Sequence, residues 1–306
     1  MIPIEIFLSV DLPALLVAVL TAVSCSLLGS FLILRRQALI SDALSHVVLP
    51  GLALSFMITG QIIPIAMLLG AFGAAIVAVL AIELIRWCGR LESGAAMGVV
   101  FTVMFAGGVV LLEQGVGGQV HLDSQHALYG SLETTVWITP VDWASLFDLT
   151  VWLSVPRQIP TLVFINVMIV CVIFLFYREL MITTFDPGLA HSLGIPVRWI
   201  NFGFMMMVAM AAVGAFEAVG SILVIALFIC PAAAARMITD RLVTQLWLSV
   251  LLGVSSAVLG YICAAWLPLW LGSQHSLTAA GMIAVVAGII QLIAMLFAPR
   301  YGVWMR

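Results

Sequence analysis

Two residues in this sequence have the types and spacing for chemistry: Asp42 and His46, within "LRRQALISDALSHVVLPGLAL" at positions 34–54. On a helix, an i, i+4 spacing places both side chains on one face, so a carboxylate and an imidazole can aim at one point. Together they suit Mn(II), Zn(II) or Fe(II) and suit Cu(I) poorly. Two donors do not complete a coordination shell, so a symmetric or pseudo-symmetric partner would have to supply the same pair.

Two other interpretations of the pair stay open. The segment "SDALSH" is also typical of a helix start, in which Asp42 caps the helix and His46 bonds a neighbouring helix. An acid and an imidazole can also relay protons, as they do in pumps. An aspartate in hydrocarbon is costly unless something pairs with it, and this favours a functional role.

The elements that must position this pair are membrane helices. The chain is 64% hydrophobic and 8% charged, with a mean hydropathy of +1.26, which is far outside the range of soluble domains. We therefore predict an all-α integral membrane protein, with one transmembrane domain over residues 1–306. The apolar runs predict a bundle of eight to ten membrane helices, with nine the best count. They lie at 12–34, 44–59, 62–85, 93–112, 160–177, 199–214, 218–235, 243–267 and 278–297.

Run lengths and helix rise give further expectations. The second, sixth and seventh runs are shorter than 20 residues, which predicts tilted, bent or re-entrant segments there. Ten residues separate Arg36 from His46, about 15 Å if the intervening chain is helical. That distance would place His46 near the middle of a hydrocarbon layer of about 30 Å.

Charge and cysteine content exclude several classes of protein. The net charge is -3, and the basic residues are scattered, so there is no basic face to bind nucleic acid. The five cysteines are isolated, which indicates neither a disulfide framework nor a CxxC metal site. The sequence contains no lysine, so it cannot supply the lysine of a Walker A loop.

Arginine predicts the orientation in the membrane. If the loop with Arg35 and Arg36 is inside, alternation of the helices puts ten of the eleven arginines inside and leaves only Arg157 outside. This predicts an external amino terminus and an internal carboxyl terminus. Residues 114–159 then form a long external segment. Its tryptophans, prolines and acids suit a partly structured interfacial cap.

A second feature is the connection "YRELMITTFDPGLAHSLGIPVRW", residues 177–199, on the arginine side. Its centre can form one or two helical turns, capped by Asp186 with Pro187 at the first position and ended by Gly194. Such a surface helix could be a docking element or an ordinary loop helix.

Three segments together resemble a known family. "RRQALISDALSHVVLPGLAL", "DPGLAHSLGIP" and "AVGSILVIALFICPAAAARMITDRL" are similar to segments of the permease subunits of the zinc, manganese and iron uptake ABC transporters. The external "VHLDSQHALYGSLE" resembles the manganese and iron branch more than the zinc branch. The similarity runs over nearly the whole chain, with the motifs in the family's order.

The resemblance implies a type II ABC importer in the bacterial inner membrane. Its parts would be two permeases, of the same or related chains, two cytoplasmic ATPases that use the ATP, and an extracytoplasmic metal-binding protein. The permease would be no enzyme and would hold no permanent cofactor. Asp42 and His46 would line the metal path at the permease interface. The connection 179–198 would carry the coupling helix that seats in the ATPase, with the matching positions Asp186, Pro187, Gly188, Leu189, Ala190, His191, Gly194 and Pro196.

Several residues keep alternative interpretations. Glu217 could be a gate ligand or an interfacial acid. His121, Asp123 and His126 could form an entry relay for metal or be plain surface residues. A rival function is an ion-coupled secondary metal carrier that works without ATP, with Asp42, His46 and Glu217 as its relay. The sequence does not choose among manganese, zinc and iron.

Overall fold

The computed structural model describes residues 7–61, 63–89, 93–115, 132, 135–137, 152, 154–270 and 277–299. These residues are mostly helical, and nine of the described helices are long and apolar enough to cross a membrane. A single π-helical turn, Phe7–Asp11, leads into the first of them. The helices are α1 (Leu12–Leu34), α2 (Ile40–Thr59), α3 (Pro64–Gly89), α4 (Ser93–Gly115), α5 (Gln158–Leu175), α6 (Tyr177–Phe185), α7 (Pro187–Ser192), α8 (Val197–Val219), α9 (Ser221–Ile238), α10 (Leu242–Trp270) and α11 (Ala279–Phe297).

The predicted all-α membrane fold and the count of nine spanning helices are confirmed for the described part of the chain. The sixth run was expected to give a short helix, but α8 has 23 residues. It continues beyond the apolar run because Arg198 at one end and Glu217 at the other are compatible with helix. The second run likewise gains a polar first turn, so α2 has 20 residues. Counting apolar residues alone therefore underestimates the lengths of both helices.

The chain divides into two compact units, residues 1–30, 128–168 and 214–306 in the first and residues 31–127 and 169–213 in the second. The prediction of one domain over residues 1–306 stays a prediction. In the first unit, α10 and α9 pack against α11. Gly260 allows the close approach of α10 to α11, since a Cβ there would lie 2.4 Å from the Cα of Ile283.

Hydrogen bonds join α1 to α10 inside the first unit. The Ser30 hydroxyl donates to Ser249 Oγ at 2.9 Å, and Ser249 Oγ donates to the carbonyl of Ser26 at 3.1 Å. All three serines are fully buried. Hydroxyl groups that hydrogen-bond to the backbone or to each other can lie in an apolar interior, because each group keeps a hydrogen-bond partner that hydrocarbon could not provide.

In the second unit, α2 packs against both α3 and α4. The backbones of α2 and α3 meet at Gly51 and Gly70, where a Cβ on Gly51 would lie 2.2 Å from the carbonyl oxygen of Gly70. One turn further along α2, the Ser55 hydroxyl donates to the carbonyl of Ala66. Small residues therefore set the closest approach of the helix that carries Asp42 and His46.

This contact predicts a difference between two glycine substitutions. Gly51→Ala should lower the unfolding temperature in detergent by several degrees, because a methyl group must displace backbone and overpacking costs roughly 1–3 kcal/mol. Gly73→Ala is the matched control on α3, since a Cβ there meets nothing within 4 Å. It should be neutral or stabilising because Ala is favoured over Gly in helices. Equal unfolding temperatures of the two variants would contradict the close contact between α2 and α3.

Candidate functional site

The predicted pair lies on one face of α2. Nε2 of His46 is 3.4 Å from Oδ1 of Asp42, and their side chains are 24% and 42% exposed, respectively. The i, i+4 expectation is therefore confirmed in its geometry. A carboxylate oxygen and an imidazole nitrogen this close, on a partly open helix face, can contact the same cation.

Two aromatic rings of α4 contact the imidazole. The His46 ring centroid lies 5.3 Å from that of Phe101 and 5.8 Å from that of Phe105. The two phenylalanines are themselves one helical turn apart and stacked, with centroids 5.9 Å apart. Such edge and tilted ring contacts restrict the rotation of the imidazole and give it an apolar wall on the α4 side.

A proline follows His46 by four residues. Pro50 has no N–H, so the carbonyl of His46 lacks the hydrogen bond that the residue four positions on gives in a regular helix. Helix α4 comes close at this point, since a Cβ on Gly108 would lie 2.8 Å from the nitrogen of Pro50. The backbone of α2 is thus altered one turn from the Asp42–His46 pair.

The structure corrects two expectations about the position of the pair. The chain between Arg36 and Ile40 is not helical, so helical rise applies only to the six residues from Ile40 to His46, about 9 Å, and the depth of His46 in the membrane stays a prediction. Asp42 is not the helix cap, because the cap position is Leu39 and no side chain caps the first turn. Asp42 lies within that first turn, where the helix dipole favours a negative charge.

The connection between α1 and α2 has a defined turn geometry. Arg36 has a positive φ of 55°. The amide of Arg36 donates to Ile33 O at 3.0 Å, and that of Gln37 donates to Leu32 O at 2.8 Å. These two bonds are the Schellman pattern that ends many helices, with Arg36 where glycine is usual. The turn fixes where α2 begins and hence the position of Asp42.

Arg35 attaches this turn to two other helices of the same unit. Its Nε donates to Thr184 Oγ1 at 3.0 Å, and its Nη2 donates to Thr183 Oγ1 at 3.3 Å, both on α6. Its Nη1 donates to Asn201 Oδ1 on α8 at 2.8 Å. The guanidinium carbon also lies 4.3 Å from the centre of the Phe204 ring. One side chain therefore joins the α1–α2 turn, α6 and α8.

The Arg35 cluster, which we define as Arg35 with Thr183, Thr184, Asn201 and Phe204, contains no carboxylate. Desolvation lowers the pKa of the Arg35 guanidinium to about 10, because burial disfavours the charged form. The side chain nevertheless stays cationic at neutral pH. Hydroxyl and amide oxygens and an aromatic face bind it in place of an anion.

The predicted surface helix is α7, and its local structure is confirmed. The Asp186 carboxylate accepts from the amide of Leu189 at 2.9 Å, and Pro187 occupies the first turn. Gly194, with a φ of 76°, ends the helix. Its amide donates to His191 O at 3.1 Å, and that of Ile195 donates to Ala190 O at 3.0 Å. A side-chain cap and a Schellman turn stabilise this six-residue helix.

One face of α7 is buried and another is apolar and open. Ala190 is fully buried, while Leu189 and Leu193 are exposed, as is Phe185 at the end of α6. Three large apolar side chains on a polar connection form a patch of the kind that partner proteins cover. The remaining matched positions Gly188 and Pro196 lie beside this patch in sequence, with Gly188 exposed.

Glu217 forms an ion pair within the first unit. Arg157 Nη2 donates to Glu217 Oε1, with the side chains 38% and 33% exposed, respectively. Arg157 is the one arginine that the sequence places outside, so the pair also gives that charge a partner. The ion pair accounts for Glu217 without metal, and a path role for it stays a prediction.

The other predicted positions lie elsewhere. His121, Asp123 and His126 lie outside the described residues, as does most of the segment 114–159. Among the described residues of that segment, Trp137 is buried and donates to Ser154 Oγ at 3.3 Å. Among the described residues, no group of three or more His, Cys, Asp and Glu side chains is close enough to hold a metal ion.

Sequence reasoning missed the contacts around the predicted pair. Arg35 served only as a marker of orientation, and the double threonine in "MITTF" went unnoticed. A threonine pair inside the connection, immediately before Phe185, which leads into Asp186 and α7, is a usable signal, because hydroxyls near a membrane interface need partners. Nothing in the sequence pairs Phe101 with His46, since that contact depends on how α2 and α4 pack.

Comparison with known proteins identifies the family. The ABC 3 transport family matches residues 10–298. The chain is 38% identical to the manganese transport system membrane protein MntD of Bacillus subtilis (strain 168), over 93% of this chain and 91% of that protein. It is also 38% identical to the zinc transport system membrane protein TroD of Treponema pallidum (strain Nichols), over 95% of this chain and 75% of that one.

A solved structure agrees with the sequence comparison. PsaBC from Streptococcus pneumoniae in complex with Fab matches with a TM-score of 0.72 and 28% identity, covering 94% of this chain and 91% of that chain. The resemblance seen in the motifs is thereby confirmed over almost the whole sequence. The chain belongs to the ABC 3 transport family and is a membrane permease subunit, not an enzyme.

Proposed function

We propose that this chain conducts a divalent transition metal through the membrane as the permease subunit of an ATP-driven importer. The observation that carries the proposal is the Asp42–His46 pair, 3.4 Å apart on a partly open face of a spanning helix. An ionisable pair in such a helix marks an ion path by default. Family membership supplies the class of transporter.

Manganese is the first candidate cargo, and zinc is the second. The names of the relatives that match this chain are those of manganese and zinc transport proteins. One carboxylate and one imidazole suit both ions, so the pair itself does not discriminate between them. Iron stays a prediction from the motif resemblance.

A second permease chain, the same or a related one, completes the site in this proposal. Asp42 and His46 give one oxygen and one nitrogen donor, and a partner would add an equivalent pair. Exchangeable water would fill any remaining positions, because a transported ion must also leave. The exposure of both side chains in the single chain supports this arrangement.

The cytoplasmic ATPases dock on α7 in this proposal, and they supply the ATP hydrolysis that this chain does not perform. The exposed patch of Phe185, Leu189 and Leu193 offers apolar area, while Asp186 and Gly194 fix the helix ends. An extracytoplasmic metal-binding protein delivers the ion on the opposite side. The chain is a multi-pass membrane protein. We place it in the bacterial inner membrane with its amino terminus outside.

Arg35 couples the docking helix to the metal pair. Motion of α7 passes directly into α6, whose Thr183 and Thr184 accept hydrogen bonds from Arg35. Arg35 belongs to the rigid turn that begins α2, and Asp42 lies in the first turn of that helix. Alternating access then follows when the ATPases move α7 and thereby shift the Asp42–His46 pair.

The rival function, an ion-coupled carrier independent of ATP, would use Asp42, His46 and Glu217 as a relay. The ion pair of Glu217 with Arg157 counts against it, because a relay acid must be open to exchange. Metal uptake without ATP by this chain alone would support the rival. Membership of an ABC transport family favours the importer.

Substitution of the pair tests the metal path. Asp42→Asn and His46→Ala should each reduce ATP-dependent Mn(II) uptake to background in vesicles that contain this chain, its ATPase and its binding protein, because the first removes the negative charge of the oxygen donor and the second removes the nitrogen donor. Asp240→Asn is the matched control, since it removes an acid paired with Arg236 at the end of α9. Full uptake by both pair variants would reject the path.

Removal of the Arg35 side chain tests whether this residue couples ATP hydrolysis to metal uptake. Arg35→Met should retain ATP hydrolysis by the assembled complex and lose most metal uptake, because α6 loses its contacts with the α1–α2 turn. Arg35→Lys should recover only part of the uptake, since an ammonium cannot reproduce the planar fork. Arg36→Gly is the control, since it removes the adjacent charge and suits the positive φ. A wild-type ratio of metal uptake to ATP hydrolysis in Arg35→Met would contradict this role.

A double substitution separates the two interpretations of Glu217. If the carboxylate serves only Arg157, then Glu217→Gln with Arg157→Gln should transport Mn(II) like wild type, because both partners of a partly exposed pair are removed together. Loss of uptake in the double variant, with the protein still folded by size-exclusion chromatography, would instead assign Glu217 to the metal path.

A further inference from the structure

A pocket of about 440 Å³ lies in the second unit beside the docking connection. It is formed by the last two turns of α3, by α7 with the segment that follows it, and by the first two turns of α8. Its polar lining comprises Glu83, Arg86, His191, Arg198 and Asn201. Neither the metal path nor the Arg35 cluster requires a cavity here.

The lining offers donors and positive charge. Glu83 Oε1 already accepts from Arg86 at 2.6 Å, and Asn201 Oδ1 accepts from Arg35 at 2.8 Å. One acceptor oxygen of each of these two lining residues is thus engaged, while the amide NH₂ of Asn201 and the guanidinium of Arg198 can donate. Two arginines against one glutamate leave a net charge of +1, not counting His191. The amino terminus of the 23-residue α8 adds a positive partial charge.

The surroundings of the pocket are those of a membrane interface. It lies at the ends of two spanning segments, Ile65–Gly89 and Val197–Val219. Trp87 and Trp199 beside it are 66% and 73% exposed. Exposed tryptophans are enriched at the level of lipid headgroups. The Arg198 guanidinium carbon lies 5.4 Å from the Trp87 ring centre, so the tryptophan orients the arginine.

We propose that this pocket binds the phosphate of an anionic phospholipid headgroup. Arg198 and the Asn201 amide contact the phosphate, Arg86 adds positive charge, and the acyl chains lie along the apolar faces of α3 and α8. Basic pockets between membrane helices bind such headgroups. The inference goes beyond metal transport, because it concerns a resident lipid beside the docking helix and needs no transported ion.

Native mass spectrometry of the full chain in detergent tests the site, with phosphatidylglycerol as the probe and phosphatidylcholine as the neutral comparison. The double variant R86Q/R198Q should bind phosphatidylglycerol at least about tenfold more weakly than wild type, since each arginine near a lipid phosphate contributes about fivefold. Binding of phosphatidylcholine should not change. The lysine variant R86K/R198K should retain the preference, because an ammonium still binds phosphate.

The matched control is R178Q/R241Q, which removes two exposed arginines that do not line the pocket. Its affinity for phosphatidylglycerol should stay within about twofold of wild type. If R86Q/R198Q does not fold because Glu83 loses its partner, Arg198→Gln alone decides, with a loss of about fivefold. A second arm adds inorganic phosphate to distinguish a lipid from a free anion.

Three results would overturn the proposal. The first is wild-type affinity for phosphatidylglycerol in R86Q/R198Q or, if that does not fold, in Arg198→Gln. The second is tight binding of inorganic phosphate that displaces the lipid, which would make the ligand a soluble anion. The third is unchanged lipid binding with loss of the ATPase from the purified complex, which would make the pocket a socket for a protein side chain. Metal uptake is not measured, so this outcome is independent of the proposed transport function.

Discussion

Hydrocarbon offers neither donors nor acceptors, so each polar group in a spanning helix must find its partner within the protein. The described residues obey this constraint at many points. Ser30 and Ser249 bond each other, and the Asn166 amide donates to the carbonyl of Leu20 at 3.0 Å. Asp42 and His46 differ, because their side chains contact each other and both remain partly exposed. That combination of an acid, an imidazole and exposure is the observation on which the proposed ion path rests.

The same constraint explains why Arg35 can lie at the end of a spanning helix without a carboxylate. Its three nitrogens donate to two hydroxyls and an amide oxygen, and its planar face lies over Phe204. A buried ion pair would leave a stranded charge whenever one partner moved. Neutral acceptors leave no second charge buried beside the guanidinium.

Local features of the sequence were predictable because neighbouring residues determine them. The apolar runs gave nine spanning helices, and the order Asp186, Pro187 and Gly194 gave the start and end of α7. The spacing of Asp42 and His46 placed both on one helix face. Helix periodicity, caps and apolar length each depend on a few consecutive residues, so one sequence contains the information.

Contacts between distant segments were not predictable from that information. The continuous helix assumed from Arg36 to His46 was wrong because a non-glycine residue, Arg36, adopts a positive φ and the chain turns before α2 begins at Ile40. Glu217 meets Arg157 sixty positions away, and Arg35 meets α6 about 150 positions away. Such pairs depend on helix packing, which periodicity does not specify. The roles of the pair and of α7 are therefore proposals, although their geometry is established.

Gly220 is the only residue between α8 and α9, with a φ of 84°. Its amide donates to Phe216 O at 3.0 Å, and its carbonyl accepts from Val224 at 3.3 Å, so hydrogen bonds continue across the junction. A junction of one residue contains no flexible segment that could absorb a movement of either helix. A rotation or shift of the end of α8 is therefore transmitted directly to the start of α9. Lengthening the junction by a few flexible residues would let one helix turn while the other stayed still.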